Sequence, residues 1–392
     1  MTADERLSRP RRGGASGCRA SSIRGVQLMA PSTRLMLSVL FILLFIPAVS
    51  FGEPIIRSVT GAFTHRESVV ITGANFGPKE TAAPVAWDDF EDGLADTKPT
   101  VGAWERIEGL WIDSTAEDRR HPKSTYQGKY NFGGGTAGFG GGQNQYGKWY
   151  GDYWFKLDPR WRWGSTLGSH LANVKIFRIW CKGDCRDNTA TVIHTFDQPG
   201  TLWTIQEACS GTSRGWGGVR GGLTPGAWHH LQFEYQESSS RGRADGIMRV
   251  WVDGKLVDAI RNLITRCGAS DTPKRVSLLG FYNSWGSYPV YSYWQDDSYI
   301  DQTWARVELG DSPTYTRCSH REIQIPLSWS HDAITITVNE GSFEAGQPAY
   351  LFVVDQDGVP NQVGYPITIS HAASPLRELP GPTDLQVIPL PR

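Results

Sequence analysis

Residues 226–257 read GAWHHLQFEYQESSSRGRADGIMRVWVDGKLV, two runs of alternating polarity joined by a polar connection. In the first, His229, Leu231, Phe233 and Tyr235 alternate with Trp228, His230, Gln232 and Glu234. In the second, Met248, Val250 and Val252 alternate with Ile247, Arg249 and Trp251. A period of two sets one apolar row against a core and leaves one polar row facing out. Asp253-Gly254 then supplies a tight-turn pair, after which Lys255, Leu256 and Val257 begin a further extended run. Many half-buried strands joined in this way build a β-sandwich.

Composition points the same way. The 392 residues include 44 Gly, 23 Pro and 16 Trp, and no long stretch carries a helical stripe, so turns and strands dominate. The length suits one large sandwich with a small companion. With 39 basic and 40 acidic residues intermixed, the net charge of -1 excludes the basic footprint of a nucleic-acid binder.

Leu35 to Val49 is an unbroken apolar run behind Arg34 and before the small residues Ala48, Ser50 and Gly52, the layout of a secretory signal cleaved after Ser50 or Gly52. Residues 1–28 precede Met29, from which a signal of ordinary proportions would start. The run is short of the roughly 20 residues of a membrane span. The expected mature chain is soluble, lies outside the cytoplasm (secreted, periplasmic or at the cell surface), and has no membrane span and no cysteine for a lipid anchor. Of the six cysteines, Cys18 precedes the cleavage point, leaving Cys181, Cys185, Cys209, Cys267 and Cys318. An oxidising compartment allows two bridges and one thiol. Cys181 and Cys185 lack the further ligands of a metal site and the βαβ setting of a redox pair, so they read as a structural disulfide.

The 226–257 hairpin resembles that of concanavalin A-like jelly rolls, the fold of laminin G-type modules, legume lectins and several polysaccharide lyases. Residues 54–77, with Ile71-Thr72-Gly73-Ala74-Asn75-Phe76-Gly77, resemble the opening of an IPT/TIG immunoglobulin-like module. Leu327 to Val338 and Ala349 to Ile369 resemble its closing strands. These resemblances imply an all-β chain, a concanavalin A-like jelly-roll β-sandwich set inside a smaller immunoglobulin-like β-sandwich, with junctions near Val85 and Ile323. The expected divisions are 1–52 (extension and signal), 53–85, 86–322 (jelly roll), 323–372 and 373–392 (Pro-rich disordered tail). Two separate small domains flanking the large one is the alternative.

Expected jelly-roll strands are 152–157, 173–180, 190–196, 201–207, 228–236, 247–253, 276–283 and 293–300. Gly133 to Gly142 reads as a flexible loop without the ending of a phosphate loop. WDDFEDG at 87–93 opens the insert and YWQDDSYID at 293–301 helps close it. In jelly rolls of this kind the neighbouring first and last strands hold a structural calcium, which the resemblance places at Asp88, Asp89, Glu91, Asp296 and Asp297. Solvated turn carboxylates are the competing reading, and no organic cofactor is implied.

A glycan face needs aromatic rings to stack on sugars and planar polar groups for the hydroxyls. The candidates are Arg178, Trp203, Gln206, His230, Gln232, Asn283 and Trp285, within a wider aromatic set of Trp180, Trp216, Tyr282, Tyr288, Tyr291 and Tyr293. Retaining glycoside hydrolysis pairs carboxyls about 5 Å apart, commonly on alternate residues, and no Glu-x-Asp-x-Glu run exists here. A lyase needs a group to neutralise a uronate carboxylate, a base and an acid. YWFKLDPRW, Lys175, GAWHHL, ADGIMRVWVDGKLV and WQDDSYID follow the motif order of jelly-roll alginate and heparin-type lyases. That resemblance implies Lys175 as a site residue. Arg178, His194 and Tyr282 are the residues at hand to complete a lyase constellation with it, and a sulfate- or carboxylate-recognising surface or scattered charges at strand edges are the competing readings of the same four. The residues weigh first toward a secreted carbohydrate-binding protein. A lyase cleaving a uronic-acid polymer by β-elimination comes second, and a structural or adhesive envelope module third.

Overall fold

The computed structural model describes residues 52–100, 104–107, 109–131, 137–139, 147–161, 174–181, 190–195, 202–208, 212–219, 223–266, 274–282 and 292–370. Its first strands are β1 (Ile55–Thr60), β2 (Ser68–Ala74), β3 (Ala86–Asp88), β4 (Trp104–Ile107), β5 (Leu110–Asp113), β6 (Gln127–Asn131), β7 (Ala137–Phe139) and β8 (Lys148–Leu157). Then come β9 (Val174–Cys181), β10 (Ala190–Thr195), β11 (Leu202–Ala208), β12 (Thr212–Val219), β13 (Trp228–Gln236), β14 (Gly246–Val252), β15 (Lys255–Leu263) and β16 (Lys274–Tyr282). The chain closes with β17 (Ser292–Asp301), β18 (Arg306–Gly310), β19 (Arg321–Trp329), β20 (Ala333–Thr337), β21 (Pro348–Val354) and β22 (Tyr365–Thr368). The signal segment, Cys185, Cys209, Cys267, Asn283, Trp285 and the Pro-rich tail lie outside the described residues.

The larger sandwich has an eight-stranded sheet that includes the path β15-β14-β13-β8-β17-β6-β5, with β3 added against β17, and a five-stranded sheet β12-β11-β10-β9-β16. Its core draws Leu231, Phe233 and Tyr235 from β13, Met248, Val250 and Val252 from β14, Tyr153, Phe155 and Leu157 from β8, and Ile179 from the second sheet. Each such buried side chain contributes about 1.5–3 kcal/mol over its exposed state. The β14–β15 hairpin turns at Asp253 (φ 49°) and Gly254 (φ 71°), so both central residues are left-handed, as a type I′ turn requires. Val252 and Lys255 oppose each other across it. Tyr293, counted among the aromatic glycan candidates, is wholly buried in this core.

The smaller sandwich joins β1 and β2 to strands made after the larger one, in the order β1-β2-β20-β19-β18-β21-β22. β19 serves both layers. Arg321 to Gln324 pair with β18, and beyond them Ile325 to Trp329 pair with β20 through an irregularity near Pro326–Ser328. Val69, Ile71, Ile334 and Ile336 from one layer meet Val307, Leu309, Leu351 and Val353 from the other. At Gly73 a Cβ would lie 1.9 Å from the Ile55 carbonyl oxygen and 2.5 Å from the Phe76 ring, so this position excludes a side chain. Asn75 and Gly77 take the left-handed turn beyond it, at φ 61° and 72°.

Two sequence expectations change. Arg306 to Gly310, placed by sequence within the larger unit that ran to 322, form β18 of the smaller sandwich, because their ladder partner is β21. The polar row of β13 does not face water either: His230, Gln232 and Glu234 are 2%, 1% and 1% exposed. β18, β19 and the segment between them cover that row. A ladder that is half polar reads as solvent-facing from sequence, yet a polar row can equally be buried when a second layer supplies partners. The chain enters the larger sandwich at β3, where Ala86 stands directly opposite Ile300 of β17.

Candidate active site

The five-stranded sheet carries the residues named for lyase chemistry, and its register decides how they fall. Ile179 of β9 is in the core and pairs with Thr191 of β10, and Phe177 pairs with Ile193. The next pair is Lys175 with His194, two residues on β9 against one on β10. This is a β-bulge. On the other side of β9, Tyr282 of β16 also pairs with Lys175. Trp203 of β11 pairs with His194. The register therefore sets Tyr282, Lys175, His194 and Trp203 in adjacent pairs across four neighbouring strands, with a further irregularity on β16 between Leu278 and Tyr282. Arg178 pairs with Val192 and Ser277.

Gln206 pairs with Thr191, three residues along β10 from His194. His230 and Gln232 are on the other sheet, buried against the smaller sandwich, and are no part of a sugar-accessible surface. The His230 ring stacks on Trp154, with centroids 4.5 Å apart, and its Nε2 meets Asp152 Oδ1 at 2.7 Å. Gln232 Nε2 donates to Asp152 Oδ2 (2.9 Å) and Glu308 Oε1 (2.8 Å), while its own oxygen accepts from Arg321 at 2.6 Å. Glu234 is bound by Arg306 at 2.9 Å and Arg249 at 2.7 Å. Burial raises the Glu308 carboxyl, but Arg306 and Arg321 outweigh it and hold the group at about 2.

The five acids expected to hold calcium separate into bonded groups. Asp88 accepts from the Phe90 amide (2.7 Å) and the Trp104 indole (2.5 Å), and burial pushes it up to about 7. Asp89 pairs with Arg66 at 3.2 Å, and Glu91 accepts from the amides of Thr125 (2.7 Å) and Tyr126 (3.0 Å). Asp296 and Asp297 meet Arg120, a buried guanidinium that also binds Glu322 at 2.7 Å and lies 4.8 Å over the Trp154 ring. Asp89, Glu91, Asp296 and Asp297 do share the wall of one cavity of about 270 Å³, beside His65, His121 and Lys123. Among the described residues, however, no three His, Cys, Asp or Glu side chains converge as metal ligands. The residues present do not fit a calcium cage, because an arginine side chain holds the position of the cation. Burial, then the neighbouring Asp297, raises Asp296 well above the carboxylate range; burial lifts Asp297 to about 7 in spite of Arg120. Sequence reasoning missed Arg120, which sits in an irregular segment without alternation. Among the described residues Cys318 is a free buried thiol, pushed up to about 11 by burial.

No family model matches the chain, and no curated protein matches it. Solved structures similar to it include an endo-β-1,4-glucuronan lyase from the fungus Trichoderma reesei, at 15% identity over 55% of this chain and 97% of that one, with a TM-score of 0.39. The alginate lyase Aly36B is 11% identical over 56% of this chain and 98% of its own, with a TM-score of 0.42. An alginate lyase from Chlorella virus is 8% identical over 51% and 92%, with a TM-score of 0.37. These likenesses assign no residue and no reaction to this chain; its all-β class rests on its own antiparallel sheets.

Proposed function

We propose that the chain is a secreted protein that acts on a uronic-acid-containing polysaccharide by β-elimination, through Lys175, His194 and Tyr282. The observation that supports this is the register of the five-stranded sheet, in which Lys175 pairs with His194 on one side and with Tyr282 on the other. In the proposed reaction the Lys175 ammonium offsets the charge that develops on the uronate carboxylate, and His194 takes the proton from the adjacent carbon. Tyr282 gives a proton to the departing glycosidic oxygen. The electron pair of the broken C–H bond becomes the new C=C bond as the C–O bond breaks, leaving an unsaturated uronate at the new end.

The test is ultraviolet absorbance of that unsaturated product while the chain from Glu53 is incubated with alginate, glucuronan, pectate and heparin-type polymers. His194→Ala is expected to reduce the rate by about 10²–10⁴-fold, the span for loss of a proton-transfer group, and Lys175→Ala by about 10²–10³-fold, the span for loss of one charge-stabilising donor. Absorbance that does not rise with any of these polymers would remove the lyase reading. Trp203, paired with His194, favours the second reading, a glycan-binding face that does not cut, which retention on a polymer without product would support.

A further inference from the structure

The outer face of the eight-stranded sheet carries a row of alternating indoles and ammonium groups. Trp111 of β5 stands opposite Lys129 of β6, Lys129 opposite Trp294 of β17, Trp294 opposite Lys156 of β8, and Lys156 opposite Trp228 of β13. Lys156 Nζ lies 4.5 Å from the Trp294 ring centre and 5.5 Å from that of Trp228, and Lys129 Nζ lies 5.3 Å from Trp294. The segment before β5 extends the row. Asp96 donates its amide to the Ile112 carbonyl and Ile112 donates to that of Thr97, both at 2.8 Å, and Lys98 Nζ rests 5.7 Å from the Trp111 ring.

The two ends of this row differ. Toward β13 it is structural: Trp294 and Lys156 are buried, and Lys156 is bound to Asp118 at 2.8 Å. Toward β5 it meets water. Trp111 is 38% exposed, Lys98 is exposed, and Lys98 forms no ion pair among the described residues. Lys129, half-buried on the inner strand β6, is held by Asp113 at 3.6 Å, which leaves Lys98 and the Trp111 indole open at the β5 edge.

We propose that Trp111 and Lys98 form a second contact for an acidic polysaccharide, at the β5 edge of the larger sandwich. The indole stacks on one sugar ring, and the Lys98 ammonium pairs with the carboxylate or sulfate of that sugar or its neighbour. Charge complementarity selects this occupant: an exposed aromatic ring beside a cation that has no ion-pair partner among the described residues suits an anionic sugar better than an apolar or cationic partner. The inference rests on the acidic-glycan part of the proposed function but not on cleavage.

The experiment is migration of the chain from Glu53 in native gels cast with alginate or heparin, for the wild type, Trp111→Ala, Lys98→Glu and Lys98→Arg. Trp111→Ala and Lys98→Glu are expected to weaken the apparent affinity about tenfold, Lys98→Arg to stay near wild type, and product formation from a short oligosaccharide to be unaltered. Lys98 is exposed, so its variants carry the test even where loss of the Trp111 ring affects folding. Equal retardation of all four proteins, no retardation of the wild type in either polymer, or a Trp111→Ala effect on self-association instead of retardation would each overturn the site. Loss of retardation in Trp111→Ala, with no unsaturated product from the wild type, would keep this site and remove the lyase reading. Product lost in Lys175→Ala with retardation unchanged in Trp111→Ala would do the reverse.

Discussion

Arg120 is a single cation facing three buried carboxylates, Asp296, Asp297 and Glu322. Burying charge is costly unless it is compensated, and removing the one compensating partner leaves the penalty standing. Arg120→Met is therefore expected to lose about 3–5 kcal/mol at pH 7 in denaturant titrations, the range for breaking a buried ion pair. Asp297 gives the sign of the pH dependence. Its folded pKa, about 7, lies above the ordinary 3.8, so the native state holds more protons than the unfolded one between those values. Its stabilising contribution is complete near pH 4 and is lost as pH rises through about 7. The Arg120→Met deficit should accordingly shrink in mild acid, and a deficit independent of pH would count against this account. The sequence left the Asp296-Asp297 doublet open between a calcium site and solvated turn carboxylates, and Arg120 was not legible as its partner, because a distant arginine leaves the same acidic signature as either.

Among the elements, β13 shows both the reach and the limit of alternation. Its apolar row, Leu231, Phe233 and Tyr235, lies in the core as the period of two implied. Its polar row is buried too, and nothing local to the strand distinguishes water from the polar layer of another sheet. β12 was missed because TSRGWGGV is rich in glycine, and the bulge in β9 was missed because an inserted residue leaves no compositional trace. At the junction with β18 and β19 the pH dependence runs opposite to that of Asp297. Glu308, held at about 2 against an ordinary 4.5, binds fewer protons when native, so its stabilisation is present above about pH 4.5 and is lost as pH falls toward 2. Glu308→Gln should unfold at lower denaturant at pH 7, by about 3 kcal/mol for a broken buried pair. It should also lack the wild type's decline between pH 4.5 and 2, as denaturant midpoints at each pH would reveal.

Over the whole molecule the two sandwiches depend on one another. β1 and β2 complete the smaller sheet, and Lys79 from the same stretch is buried against Asp301 at the end of β17. A chain beginning at Ala86 would expose Ile334 and Ile336 and leave Asp301 without its cation. Such a chain is expected to be insoluble or to unfold well below the longer one; a soluble product with the same melting temperature would show the larger sandwich to be self-sufficient. The ITGANFG stretch and the closing strands made the joining of distant segments legible. The docking of one sandwich on the other was not, because its polar partners come from strands that look exposed when read singly.

That arrangement sets an order of events at the ribosome. Val70 finds its ladder partner only at Thr335, and Ala86 finds its own at Ile300. β1 and β2 are translated before the larger sandwich and pair with each other, and the other edge of β2 waits for its partner until β20 has emerged. Closing so long a loop is slow, and an unpaired strand edge invites wrong partners in the meantime. A nascent chain of this kind gains from being kept unfolded, and export as an extended polypeptide would let first and last strands meet with the whole sequence already present.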